Sequence, residues 1–109
     1  MITWNDFEKI DIRVGTITDA SVFPEARKPA FRLRIDFGSL GSKTSSAQVT
    51  KYYNPDSLIG QQVIAVVNFP PKLIAGFKSE CLVLGIYDEN NNVVLLQPQQ
   101  HVSNGLKIG

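Results

Sequence analysis

The chain has 109 residues, with 11 Lys and Arg against 10 Asp and Glu, a formal net charge of +1, 43% hydrophobic and 19% charged residues. That length supports one core and no second one, and that balance excludes a disordered tract. No apolar run reaches the length of a membrane span, and the N-terminus lacks the basic start and apolar stretch of a secretory signal, so a single cytoplasmic domain over residues 1–109 is expected, without membrane insertion. One cysteine, Cys81, leaves no internal disulfide. The small net charge hides a segregated field. Between Arg27 and Glu80 stand eight bases and three acids, a balance of +5, while the two ends together carry −4. A middle of this sign attracts polyanions, because local potential rather than total charge steers a ligand.

Thr3, Trp4, Asn5 and Asp6 read as a capping box that opens a short helix through Lys9, with Trp4, Phe7 and Ile10 at helical spacing. So short a helix is unstable alone, and its aromatic stripe is expected to pack inward. Ile10, Ile12 and Val14 alternate with Asp11, Arg13 and Gly15, and the phase slips by Ile17; a glycine there predicts a β-bulge at Gly15. Residues 21–30 read as a loop, with Pro24 and Pro29 framing Arg27 and Lys28. The clearest strand follows, Phe31, Leu33, Ile35 and Phe37 on one face with Arg32, Arg34 and Asp36 on the other. Beyond a Gly38–Gly41 turn, Lys43–Val49 is a thin strand of small hydroxyl residues, which either admits a ligand backbone closely or is an ordinary edge. Asn54, Pro55 and the closing Gly60 predict one helical turn.

Val63–Phe69 and Cys81–Tyr87 are short, β-branched and bounded by Pro and Gly, so they read as strands. Between them lies a loop, Pro70–Ser79, carrying Lys72 and Lys78 on a backbone stiffened by paired prolines. It is either a working surface or an ordinary hairpin with solvated lysines. Residues 88–92, DENNN, make a turn, Val93–Leu96 the last core strand, and Asn104–Gly105 a late turn. Five to six short strands with a short N-terminal helix and one helical turn make an all-β, closed OB-fold barrel, with an SH3-like barrel or small sandwich as the alternative. OB barrels meet ligands on their second and third strands and on the loops joining strands 1 to 2 and 4 to 5. All eight middle bases except Lys51 fall on those elements. Because Val63–Val67, Cys81–Leu84 and Val93–Leu96 lack polar alternation, a second copy with its N-terminal helix is expected to cover them, giving a homodimer.

The motifs DIRVGTI, SSAQVTKYY, VVNFPPKLIAGFKSE and VVLLQP resemble the tRNA-binding-domain family in its CsaA type, that of an export-associated chaperone. Related domains are appended to methionyl-tRNA synthetases and occur in the EMAP II cytokines. The resemblance covers essentially the whole chain. It implies an OB-fold homodimer that binds tRNA or unfolded preproteins, linked to export machinery, with no catalysis. The family's signature falls on Asn68, Pro71, Lys72, Gly76 and Ser79. One departure is that many members follow this serine with an acidic or amide residue, then Gly and Met. Here Glu80, Cys81 and Leu82 follow, and the missing glycine is expected to leave less room for a nucleic-acid backbone.

Catalysis finds no support in the sequence. His101 is the only histidine and lies far along the chain from Cys81, which sits in an apolar strand as a small hydrophobe. One Cys and one His make no metal site, no glycine-rich phosphate loop follows a strand, and no cofactor is expected. Two readings of the binding face compete. In the first, RNA phosphates meet Arg27, Lys28, Arg32, Arg34, Lys43, Lys72 and Lys78, with Asn68 and Ser79 offering hydrogen bonds. In the second, an extended polypeptide packs on Phe69, Ile74 and Phe77. Tyr52, Tyr53 and Phe77 are the candidates for base stacking.

Overall fold

The computed structural model describes residues 1–109. Thr3 caps α1 (Trp4–Glu8) through the expected reciprocal box with Asp6. The barrel strands are β1 (Ile12–Val22), β2 (Phe31–Asp36), β3 (Ser42–Ala47), β4 (Gln62–Val66) and β7 (Leu82–Val83), hydrogen-bonded in the order β3-β2-β1-β4-β7. Between β3 and β4, α2 (Pro55–Leu58) is capped by Asn54 and plugs the barrel with Leu58, wholly buried. Two hairpins stand off the barrel: β5 (Lys72–Ile74) with β6 (Phe77–Ser79), and β8 (Gly85–Tyr87) with β9 (Val93–Leu95). This is the expected OB-type barrel.

The alternation on β2 holds as read. Leu33, Ile35 and Phe37 are wholly or almost wholly buried, and they meet Ile17, Val63 and Ala65 in one core. Truncating any of the large ones to alanine would cost about 2–5 kcal/mol.

Gly15 is not the bulge. The register of β1 on β2 slips between Ile17 and Asp19 instead. Gly15 is a glycine because a Cβ there would lie 2.7 Å from Ile35 Cγ2 and 2.8 Å from the Phe37 ring. Its job is to let β1 approach the core.

The Pro70–Ser79 loop is in fact the β5–β6 hairpin, turned tightly at Ala75 and Gly76, both with positive φ (48° and 80°). The run Cys81–Tyr87 is two strands, since β7 pairs with β4 while β8 leaves to pair with β9. Trp4 does not pack inward. It is 80% exposed, and Phe7 meets it edge-on at 6.5 Å. The outward positions Gln62 and Val66 of β4 are buried within this one chain, Gln62 by hydrogen bonds to Val102 and Asn104. In the other two runs Leu82 and Val94 are left bare, and Ile86, Ile2 and Trp4 are bare as well.

The barrel closes along the seam between β3 and residues 78–81, and side chains do most of the closing. One main-chain bond crosses it, Glu80 N–H to the Thr44 carbonyl at 2.7 Å. Around it the Thr44 hydroxyl donates to the Lys78 carbonyl (2.6 Å), the Ser45 hydroxyl to the Cys81 carbonyl (2.9 Å) and the Ser46 amide to the Ser79 hydroxyl (3.1 Å). The Glu80 carboxylate accepts from the Thr44 amide (3.0 Å) and lies 2.9 Å from the Thr44 hydroxyl, whose one proton it shares with the Lys78 carbonyl. The Thr44 amide holds the Glu80 carboxyl below its ordinary range, with the nearby Lys78 and Lys43 assisting. A carboxyl lowered by folding stabilises above its unfolded pKa, and that contribution disappears as pH falls through the folded value. Charge-assisted bonds contribute about 1.5–3 kcal/mol, so Glu80→Ala should lower the melting temperature by several degrees at pH 7. The gap from wild type should close on acidification below about pH 4.5. A gap that stays constant between pH 7 and pH 3 in thermal melts would show that Glu80 does not clamp the seam.

Candidate nucleic-acid interface

A groove of about 780 Å³ runs between the β1–β2 loop and the β5–β6 hairpin, with the end of β3 as its floor. Its walls bring together Arg27 and Lys28 from the loop with Lys72 and Ile74 from the hairpin, and Ser46 and Gln48 lie beneath. Arg27, Lys28 and Lys72 are exposed, and no carboxylate pairs with them. Glu25 is the one acid on the rim. Both ion pairs of the molecule, Lys9 with Asp6 and Arg13 with Asp11, are elsewhere. Cations left without internal partners on a concave rim are available to an anionic ligand.

The two arginines of β2 are not equivalent. Arg34 is exposed, flanked in register by Asp19 of β1 and Thr44 of β3, and makes no ion pair. Arg32 is half-buried: its guanidinium lies 5.4 Å from the Phe23 ring centre and donates to the Val22 carbonyl (3.3 Å), while Nε is buried without a partner. Phe23 is buried and meets Phe77 edge-on at 5.4 Å. Phe77 therefore belongs to an Arg32–Phe23–Phe77 stack that ties the hairpin to the β1–β2 loop, and it is no free platform for a base.

Alternation decides three further positions. Lys72 shares one hairpin face with Ile74 and Phe77, and Lys78 shares the other with Leu73, so the two lysines do not act together. Lys43 pairs with the inward-facing Ile35 and falls in phase with buried Ser45 and Ala47, opposite to Arg32 and Arg34. It sits at the barrel end, close enough to Glu80 and Cys81 to influence both. Asn68 is a clamp within the fold, where Oδ1 accepts from the Asp11 amide (3.0 Å) and Nδ2 donates to the Lys9 carbonyl (2.7 Å). Ser79 spends its oxygen on the seam.

Of the tyrosines, Tyr53 accepts from the Leu95 amide at 3.0 Å and packs against the core. Tyr52 is 48% exposed, and its hydroxyl donates to Asp88. That bond raises the Tyr52 pKa and lowers that of Asp88. Cys81 is buried, and burial pushes its thiol up to about 11, so it holds no reactive thiolate near neutral pH. Its side chain lies in the core cluster, so the missing glycine takes no room from the outer surface. Gln48 was legible only as part of the thin polar strand Lys43–Val49, whose small residues were its one signal.

Residues 12–107 match the family described as "Putative tRNA binding domain". In structure the chain is similar to the chaperone CsaA of Bacillus anthracis, with 61% identity, a TM-score of 0.95, and coverage of 100% of this chain and 99% of that one. It is similar too to the CsaA chaperone protein of Picrophilus torridus, with 55% identity, a TM-score of 0.94 and full coverage of both. Among curated proteins, a methionine–tRNA ligase of Porphyromonas gingivalis is 36% identical over 107 residues, covering 98% of this chain. The chain spans only 15% of the length of that ligase. With the family matched over nearly its whole length, and a barrel shared with CsaA at more than half of all positions, the chain belongs to the tRNA-binding-domain family.

Proposed function

We propose that this chain binds tRNA through the groove between the β1–β2 loop and the β5–β6 hairpin, as a binding module without chemistry of its own. The observation that carries the reading is the cluster of Arg27, Lys28 and Lys72, unpaired on the rim of the groove, with Arg34 exposed on the strand alongside. Phosphates would replace the missing counter-ions, and polyanion affinity comes mainly from such neutralisation. Tertiary shape, rather than base sequence, would select the RNA. A cytoplasmic setting follows from such a ligand.

A second reading has its own support. Leu73 is 73% exposed and Ile74 lines the groove, so the hairpin offers apolar contact to an extended polypeptide, and the CsaA neighbours are called chaperones. In this reading, unfolded preprotein segments on their way to export machinery would occupy the same groove.

The test is titration of bulk tRNA at several salt concentrations. Replacing Arg27 and Lys72 together by Gln should flatten the slope of log affinity against log salt by roughly 1.4 if the contacts are to single-stranded phosphates. Both residues are exposed, so the melting temperature should hold. Leu73→Ser should leave tRNA binding almost intact and weaken binding of an unfolded secretory protein. An unchanged slope together with a strong Leu73 effect on polypeptide would replace the first reading by the second.

The chain is also proposed to be a homodimer. The bare apolar residues Ile86 and Val94 are cross-strand partners on one face of the β8–β9 hairpin, and Ile2 and Trp4 are bare before and at the start of the N-terminal helix. Light scattering at micromolar concentration should give twice the 12.1 kDa of one chain. Ile86→Glu should shift it to a monomer, and a wild-type monomer would refute the dimer.

A further inference from the structure

The groove does not end at β3. A second cavity of about 370 Å³ lies on the far side of Ser46 and Gln48, which line both spaces. It differs from the groove in charge: Val49, Leu82, Val83, Tyr87 and Val93 line it together with the polar Ser46, Gln48 and Asn91, and no charged side chain does. At roughly 30 Å³ for each water in the liquid it has room for about a dozen waters, enough for one flat base. It lies where β3 ends at Ala47, with Leu82 and Val83 of β7 among its walls. We propose that the two cavities form one bipartite site for an unpaired nucleotide of the bound RNA, its phosphates in the basic groove and its base turned over β3 into the uncharged cleft.

Three features fit the cleft to a flat ring. Tyr87 lines it yet is 74% exposed, so one ring face is free to stack. The hairpin that carries Tyr87 is held from outside, since Tyr52 donates to the adjacent Asp88 and the Leu95 amide donates to Tyr53. The platform is therefore set before a ligand arrives. Gly85 lets the Val93 side chain lie flat against this wall, since a Cβ there would stand 2.4 Å from Val93 Cγ1. On the ridge between the halves, the Gln48 side chain is exposed and takes no part in the side-chain hydrogen bonds of the fold, which leaves a donor and an acceptor for a base edge. Charge decides the occupant. An apolar peptide would fill the cleft but leave the basic groove without counter-charge, whereas a nucleotide carries its anionic backbone next to a flat ring and satisfies both halves at once.

The inference rests on the RNA reading, and one experiment separates their failures. The probe is a short single-stranded RNA carrying one 2-aminopurine, compared with the same sequence closed in a duplex. Wild type should quench the 2-aminopurine on binding and should prefer the single strand. Tyr87→Ala should abolish the quench and weaken binding roughly 5- to 150-fold at unchanged salt slope, the fold equivalent of losing one stacked base. Tyr87→Phe should restore both. The Arg27 and Lys72 double variant should lower the slope and leave the quench at saturation. If the slope responds but Tyr87→Ala changes neither affinity nor quench, the bipartite site is wrong and the RNA reading stands. If neither responds, both fall. If Tyr87→Ala weakens only an acidic, apolar peptide, the cleft is a peptide site and the proposal is overturned.

Discussion

The seam between β3 and residues 78–81 is the constraint on which the rest of the molecule depends. A barrel of five strands has two edges to join, and here a single main-chain bond joins them. Thr44, Ser45, Ser79 and Glu80 supply the rest from their side chains. Side chains reach further than a ladder and tolerate a changing distance between strands, so the barrel can be tight near Thr44 and open near Gln48. The core stays dry behind the tight part, where Ile35 and Phe37 are wholly buried. The proposed ligand surface lies over the open part.

The same seam aims the binding elements. It fixes the far end of the β5–β6 hairpin, while the Arg32–Phe23–Phe77 stack fixes its near face to the β1–β2 loop. Two loops that would wander independently are thereby held as the walls of one groove. A cation on such a wall needs little further ordering to meet a phosphate, which conserves affinity. Arg32 gives up its freedom for this purpose, and Arg34, Arg27 and Lys72 keep theirs.

Much of this was legible from local chemistry. The period of two on Phe31–Phe37 gave a correct strand and correct faces, because one face is fully buried and no slip of register is tolerated there. Thr3 with Asp6 and Asn54 with Pro55 marked both short helices, since a cap is written within four residues. What could not be read was distance across the fold. Gly15 looked like a bulge because the residue its missing Cβ would strike, Ile35, is twenty positions away in the chain. Asn68 looked like a ligand donor because its partners, Lys9 and Asp11, are invisible to a local reading. Position along the chain groups Lys43 with the arginines, whereas the pleat assigns it by face. The hydroxyl residues of β3 stand out in sequence for their small size, and the seam uses them for their hydrogen bonds.

β1 has three partners. β4 takes one edge, β2 takes the second half of the other, and the final residues complete that edge: the Val14 amide donates to the Leu106 carbonyl (3.1 Å), and the Gly105 and Ile108 amides donate back to Val14 and Ile12. Arg13 adds a bond to the Gly105 carbonyl at 3.0 Å. A ribosome makes β1 early and residues 105–108 late. Until those later residues arrive, then, Ile12–Val14 present an unpaired strand edge, an invitation to any other extended chain. The growing protein thus depends for its own completion on the kind of strand edge that chaperones are there to shield.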